Sequence, residues 1–188
     1  GTIQHQYHYK NGKKTGINTD YYPTGKISAR EQVSPAGLDA SRQEYDEKEN
    51  LTAEKELRNG QPHGTWKFFF EGGKIVRTRE TYANGKLEGA RYTYFSDGKI
   101  QKEEMYKFNL LNGTVKTYYE GGATESITEY RSGRKHGVFT SYYSNGKLKE
   151  QGEYIADKKH KEWKNYNDQG ELESSVMFKA GNPVIAEK

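Results

Sequence analysis

Cysteine is absent from all 188 residues, which excludes disulfide staples, thiolate metal ligands and cysteine nucleophiles. No apolar run approaches the roughly 18 residues needed to cross a bilayer as a helix. Charge of one sign never accumulates either. The 30 Lys and Arg are interspersed with 26 Asp and Glu, and the formal net charge is +4. A nucleic-acid partner would need a clustered basic face, so none is expected. Nucleophile elbows, phosphate loops and zinc-protease motifs are missing too, so the reading is non-enzymatic, without cofactor or metal. Only 31% of the chain is hydrophobic while 30% is charged, a balance that leans toward disorder until the 13% of aromatic residues is counted. The aromatics must then supply most of the core of a packed β-protein.

What is present is a repeat. Taking the residue that opens each unit as an anchor, the anchors fall at Gly16, Ala40, Gly64, Gly89, Gly113, Gly137 and Lys161, in steps of 24, 24, 25, 24, 24 and 24 residues. Five positions after every anchor stands an aromatic: Tyr21, Tyr45, Phe69, Tyr94, Tyr118, Tyr142 and Tyr166. A period in this range marks a stacked array in which each copy buries surface against its neighbours. One repeat domain over residues 1–188 is expected, not two globules.

Each unit carries two turn signals. The first includes Thr24-Gly25, Gly72-Gly73, Asp97-Gly98, Gly121-Gly122, Asn145-Gly146 and Gln169-Gly170; the second includes Asn11-Gly12, Asn59-Gly60, Asn84-Gly85, Ser132-Gly133 and Ala180-Gly181. Such pairs supply the positive φ that tight hairpins demand. Residues alternate between the turns, as Trp66, Phe68 and Phe70 do against Lys67 and Phe69, the pattern of half-buried strands. The fold class is therefore all-β: an elongated array of about seven stacked antiparallel β-hairpins in a single twisted sheet. Two units depart. The stretch 34–50 contains Pro35, has Glu49 where the turn glycine stands and reads as an irregular or frayed hairpin. The 25-residue step reads as a β-bulge between Ile75 and Gly85.

In-register aromatics one repeat apart should form ladders. The row Tyr94, Tyr118, Tyr142 and Tyr166 is the candidate binding surface, weighed against a purely structural role for half-wet phenol rings. His63, His136 and His160 each precede an anchor. They read as turn residues, not metal ligands, because Thr15, Glu88 and Asn112 hold the same place in other units. Glu103, Glu104, Glu129, Glu150 and Glu153 recur among Lys and Arg and read as cross-strand charge pairs.

The recurring Tyr-Tyr-x-x-Gly-Lys-Leu core resembles the MORN repeat, in the variant found in bacterial YwqK-type proteins, which are named as toxin–antitoxin antitoxins. The matching residues include Tyr21-Tyr22 with Gly25-Lys26-Ile27, Phe69-Phe70 with Gly73-Lys74-Ile75, Tyr94-Phe95 with Gly98-Lys99-Ile100, and Tyr142-Tyr143 with Gly146-Lys147-Leu148. The resemblance implies stacked hairpins that act as scaffolds in protein or lipid contacts and brings no catalytic motif. The expected partner is another protein. A glycan or cell-wall ligand is the alternative, since Tyr and Trp ladders also resemble wall-binding modules, although only Trp66 and Trp163 are present. A membrane surface could be met only through the turn lysines Lys26, Lys74, Lys99 and Lys147, and alternating acidic residues argue against it. The start at Gly1 and the lack of cysteine point to an exported bacterial protein, periplasmic or at the cell surface.

Overall fold

The structure, a computed structural model, describes residues 3–184. Every regular element among them is a β-strand and every pairing is antiparallel. The chain divides into two compact units, Gly1–Gly89 with Ser96–Gly98 and Ala90–Phe95 with Lys99–Lys188.

The first unit stacks three hairpins: Gly16–Tyr21 on Ile27–Val33, Asp39–Tyr45 on Leu51–Arg58, and Gly64–Phe69 on Val76–Ala83. The short strand His5–Gln6 pairs with Gly16–Tyr21. In the second unit the strand Ile100–Lys107 precedes three hairpins: Gly113–Tyr118 on Thr124–Arg131, Arg134–Tyr142 on Leu148–Ile155, and Lys158–Tyr166 on Leu172–Lys179.

The repeat motif explains the local geometry. In five outgoing strands the register slips just before the aromatic five places after the anchor, between Asp20 and Tyr21, Glu44 and Tyr45, Thr117 and Tyr118, Ser141 and Tyr142, and Asn165 and Tyr166. A bulge there deepens the twist and starts the turn. At the other end the anchor is a second irregularity. Gly137 has φ 108, a conformation closed to L-residues, and an added Cβ would run into the Glu129 carboxylate, which accepts the Val138 N–H at 3.0 Å. Lys161 takes the same role without glycine at φ 59, so a side chain is held in the left-handed region at a cost of about 1–2 kcal/mol.

Both departures expected from the sequence resolve differently. Residues 34–50 are not frayed: Asp39–Tyr45 is paired along its length with Leu51–Arg58, and Ala40 to Glu44 are paired with Ile27–Val33 as well. Its loop, closed by Ser34 N–H to the Asp39 carbonyl at 2.8 Å, is longer than the two-residue turns elsewhere, so Ala40 needs no bulge and no positive φ. Glu49 supplies the turn conformation that glycine supplies elsewhere, at φ 66. The extra residue of the 25-residue step lies in a turn. Phe70 N–H closes on the Ile75 carbonyl, where Tyr22 N–H closes on that of Lys26, and Val76 instead of Ile75 opens the returning strand.

The two faces of the sheet differ. Residues two and four after the anchor, with their cross-strand partners, form the covered face, which holds Asn18, Ala29, Val33, Ala53, Thr78, Glu80, Glu104, Val115, Thr128 and Trp163, all buried. Its core is one side-chain layer deep. The opposite, open face exposes Ile17, Met105, Val138 and Met177.

Candidate binding face

The covered face of the second unit is organised by Trp163, which is 1% exposed. Phe139 stacks on it at 5.5 Å, Tyr154 meets it edge-on at 4.8 Å, and Lys159 Nζ sits 3.9 Å above it. Its Nε1–H donates to the Glu153 carbonyl at 3.1 Å. Gly152 stands opposite Phe139 in the ladder, and any Cβ there would collide with the indole ring. This glycine serves packing, in an extended strand. In the first two hairpins of the first unit the corresponding lane is charged: Arg42 reaches Asp20 at 3.0 Å and Glu44 at 3.1 Å, and Lys55 reaches Glu44 at 2.6 Å, before the third hairpin brings in Trp66, whose ring meets Tyr82 at 4.8 Å. Burial pushes the Asp20 carboxyl up, but hydrogen bonds from Tyr7, His5 and Arg42 and the Arg42 charge outweigh it, and the group titrates below its ordinary value. The hydrogen bond to Asp20, then burial, pushes the Tyr7 phenol up to about 12.

The second tyrosine of the Tyr-Tyr pair joins repeats. Its hydroxyl donates to the carbonyl of the first aromatic in the next unit: Tyr22 to Tyr45 at 2.7 Å, Tyr119 to Tyr142 at 2.7 Å and Tyr143 to Tyr166 at 2.8 Å. The turn lysine does the same one step further out. Lys26 Nζ donates to the Glu47 carbonyl at 2.7 Å, Lys147 Nζ to that of Gln169 at 2.8 Å and Lys99 Nζ to that of Glu120 at 3.4 Å. Three of the four lysines that the sequence offered to a membrane surface, Lys26, Lys99 and Lys147, thus reach the neighbouring turn, and Lys74 is exposed.

The predicted row Tyr94, Tyr118, Tyr142 and Tyr166 lies on the open face of the second unit, each ring half-buried. A returning strand separates successive members, so they stand about 10 Å apart, twice the strand spacing and beyond the reach of ring pairing. The expected ring-on-ring ladder is absent from this row. Each phenol has its own surroundings instead. Tyr94 stacks with Tyr92 at 6.4 Å, and Tyr166 Oη accepts from Gln151 Nε2 at 3.1 Å. Burial, followed by the charge and hydrogen bond of Glu103, raises the Tyr118 phenol above its usual value. Between the rings the face is polar, with Gln101, Glu125 and Lys149 on the returning strands.

Of the other residues singled out, Glu104 is buried and paired with Lys102 at 2.7 Å and Arg91 at 3.5 Å, and Glu150 is paired with Lys159 at 2.8 Å. The Arg91–Glu104 and Lys159–Glu150 pairs fit cross-strand charge pairing, whereas Lys102 and Glu104 share one strand and Glu129 accepts a main-chain N–H. Among the described residues no three His, Cys, Asp or Glu side chains gather as a metal site. Sequence reasoning missed the turns Phe108-Asn109 and Ala156-Asp157, whose four residues all have positive φ without glycine to announce them. Equal spacing from the glycine-bearing turns was the one available signal.

A family model described as MORN repeat variant matches residues 62–84, 87–108 and 135–156. The matches cover 67 of the 188 residues, and each matched segment is similar to a MORN-variant repeat. No curated protein matches the chain.

Proposed function

We propose that these MORN-variant repeats form a non-enzymatic scaffold whose open face binds another protein. The observation that carries this reading is a division of labour between side chains. Core rings, the second tyrosines and three of the turn lysines, Lys26, Lys99 and Lys147, are committed to holding repeats together, whereas the row Tyr94, Tyr118, Tyr142 and Tyr166 remains half-exposed on a face over which no described residue forms a layer. Half-exposed phenols suit recognition, since a large rigid ring is already ordered and its hydroxyl stays wet. An extended array is also the physical type used for broad binding surfaces. The antitoxin role belongs to this reading as one form of it, with a toxin as the protein bound.

The test compares the intact chain with a variant carrying Ser at all four tyrosines, after thermal unfolding has shown the variant to be folded. Both serve as bait against extract of the native organism. Loss of the same captured proteins from the variant supports the reading. Equal capture by both would count against it, and capture of glycan or peptidoglycan fragments in place of protein would favour a wall-binding role.

A further inference from the structure

One patch of the open face departs from the repeat where the fold does not demand it. The residue three places after the anchor is Thr19, Gln43, Lys67, Lys116, Thr140 or Lys164 in the other units and a tyrosine only at Tyr92. Tyr92 stacks with Tyr94, centroids 6.4 Å apart and planes at 30°. On the intervening strand Glu103 stands opposite Lys116, which puts it on the same face as Tyr118, two residues further along, whose phenol is raised by burial and by Glu103. Tyr92, Tyr94, Glu103 and Tyr118 are half-buried and belong to the second unit. The next carboxylate along the strand, Glu104, points to the covered face and is engaged there by Lys102 and Arg91. Glu103 faces outward among phenol rings.

Phenol faces carry negative potential and attract cations, more strongly where water is partly excluded. A carboxylate within the same patch adds a charge-assisted hydrogen bond to any ammonium or guanidinium that docks. An anionic ligand would meet Glu103, and an apolar one would have to desolvate it. Lys116 stands directly across the ladder from Glu103 and is the internal cation with which a guest must compete.

We infer that Tyr92, Tyr94, Glu103 and Tyr118 form a receptor for the cationic side chain of a lysine or arginine on a protein partner. This rests on the scaffold reading and names the chemistry of one contact within it.

The probes are two synthetic pentapeptides acetylated at the N-terminus and amidated at the C-terminus, so that lysine carries the only cations, Gly-Lys-Gly-Lys-Gly and its doubly acetyl-lysine counterpart, titrated into the full chain by calorimetry and by amide chemical shifts. The lysine peptide is expected to bind with shifts centred on residues 92–94, 103 and 118, and the acetylated one is not. Glu103→Gln should weaken binding about tenfold, a loss equivalent to one charge-assisted contact. Lys116→Met should tighten it, and Glu173→Gln, a distant carboxylate, should leave it unchanged. Equal binding of both peptides, or of the lysine peptide to Glu103→Gln and the intact chain, would overturn the inference. If Glu103→Gln still captures the proteins that the four-serine variant loses, and the peptide fails to bind, the scaffold reading stands while the cation receptor falls.

Discussion

The two units solve the same packing problem with different chemistry. Along the middle of the covered face the first two hairpins of the first unit set Asn18, Glu31, Arg42 and Lys55 side by side, ahead of Trp66 and Glu80, and the three hairpins of the second set Val115, Thr128, Phe139, Gly152 and Trp163, after Arg91 and Glu104. One backbone plan thus tolerates a lane of charges or a lane of rings. What it requires is that each lane be complete. Arg42 is shared by two carboxylates, and Glu31 takes Lys14 at 2.6 Å. Trp163 fits only because Gly152 has no side chain. A one-layer core leaves little hydrophobic surplus, so in either unit one vacant place should be felt.

Removing the ring at the centre of the second unit is the strongest way to break the comparison. Trp163→Ala should cost roughly 3–5 kcal/mol, and amide exchange should show the loss across residues 113–179 while the first unit keeps its protection. The matching change in the charged lane, Arg42→Met, leaves Asp20 to Tyr7 and His5 and Glu44 to Lys55 alone and should cost about 1–3 kcal/mol, read by the same exchange experiment in residues 16–58. Acid should separate the units without mutation. Because Asp20 titrates below its ordinary value when folded, its contribution is complete above the unfolded value near 4 and is lost as pH falls through the lower folded value. Protection of Gly16–Tyr21 should therefore decline below about pH 4, and Asp20→Asn should flatten that decline.

Smaller changes sharpen the picture. Lys161→Gly relieves a left-handed side chain at the loss of one exposed ion pair to Glu153 and should stabilise the second unit by about 1 kcal/mol, seen as a higher urea midpoint. Tyr119→Phe and Tyr143→Phe each delete one hydroxyl tie and should each cost about 1 kcal/mol. Phe95→Tyr supplies the missing hydroxyl at the corresponding place and should gain a few tenths of that. If Phe95→Tyr does nothing while Tyr143→Phe costs the full amount, the joints are not equivalent.

Much of this architecture was legible in the residues. The anchor glycines, the aromatic five places on and the glycine turns announce hairpins, because each reports a backbone conformation few residues adopt. Lys161, Glu49 and Phe108 hold such conformations without being chosen for them, so the same logic passes over them. The extra residue near Ile75 was visible as a count, but turn and strand absorb an insertion equally well on paper. The role of Tyr143 was hidden for another reason. Its partner is a main-chain carbonyl 23 residues away, and carbonyls leave no mark on a sequence. The row from Tyr94 to Tyr166 was found by spacing, yet spacing counts residues along the chain and does not show that a strand stands between one ring and the next.

The hydroxyl and lysine ties all run in one direction. Tyr22, Lys26, Lys99, Tyr119, Tyr143 and Lys147 each reach toward the C-terminus, and each grips a main-chain carbonyl. A donor that reads only backbone does not care which amino acid follows. Any hairpin of the right length can therefore succeed any other, and the chain is written in a grammar that fixes word order but leaves the vocabulary free. Copying or deleting one repeat leaves every hook facing an eye, so such an array can lengthen, shorten and vary its outward face while its joints stay unchanged.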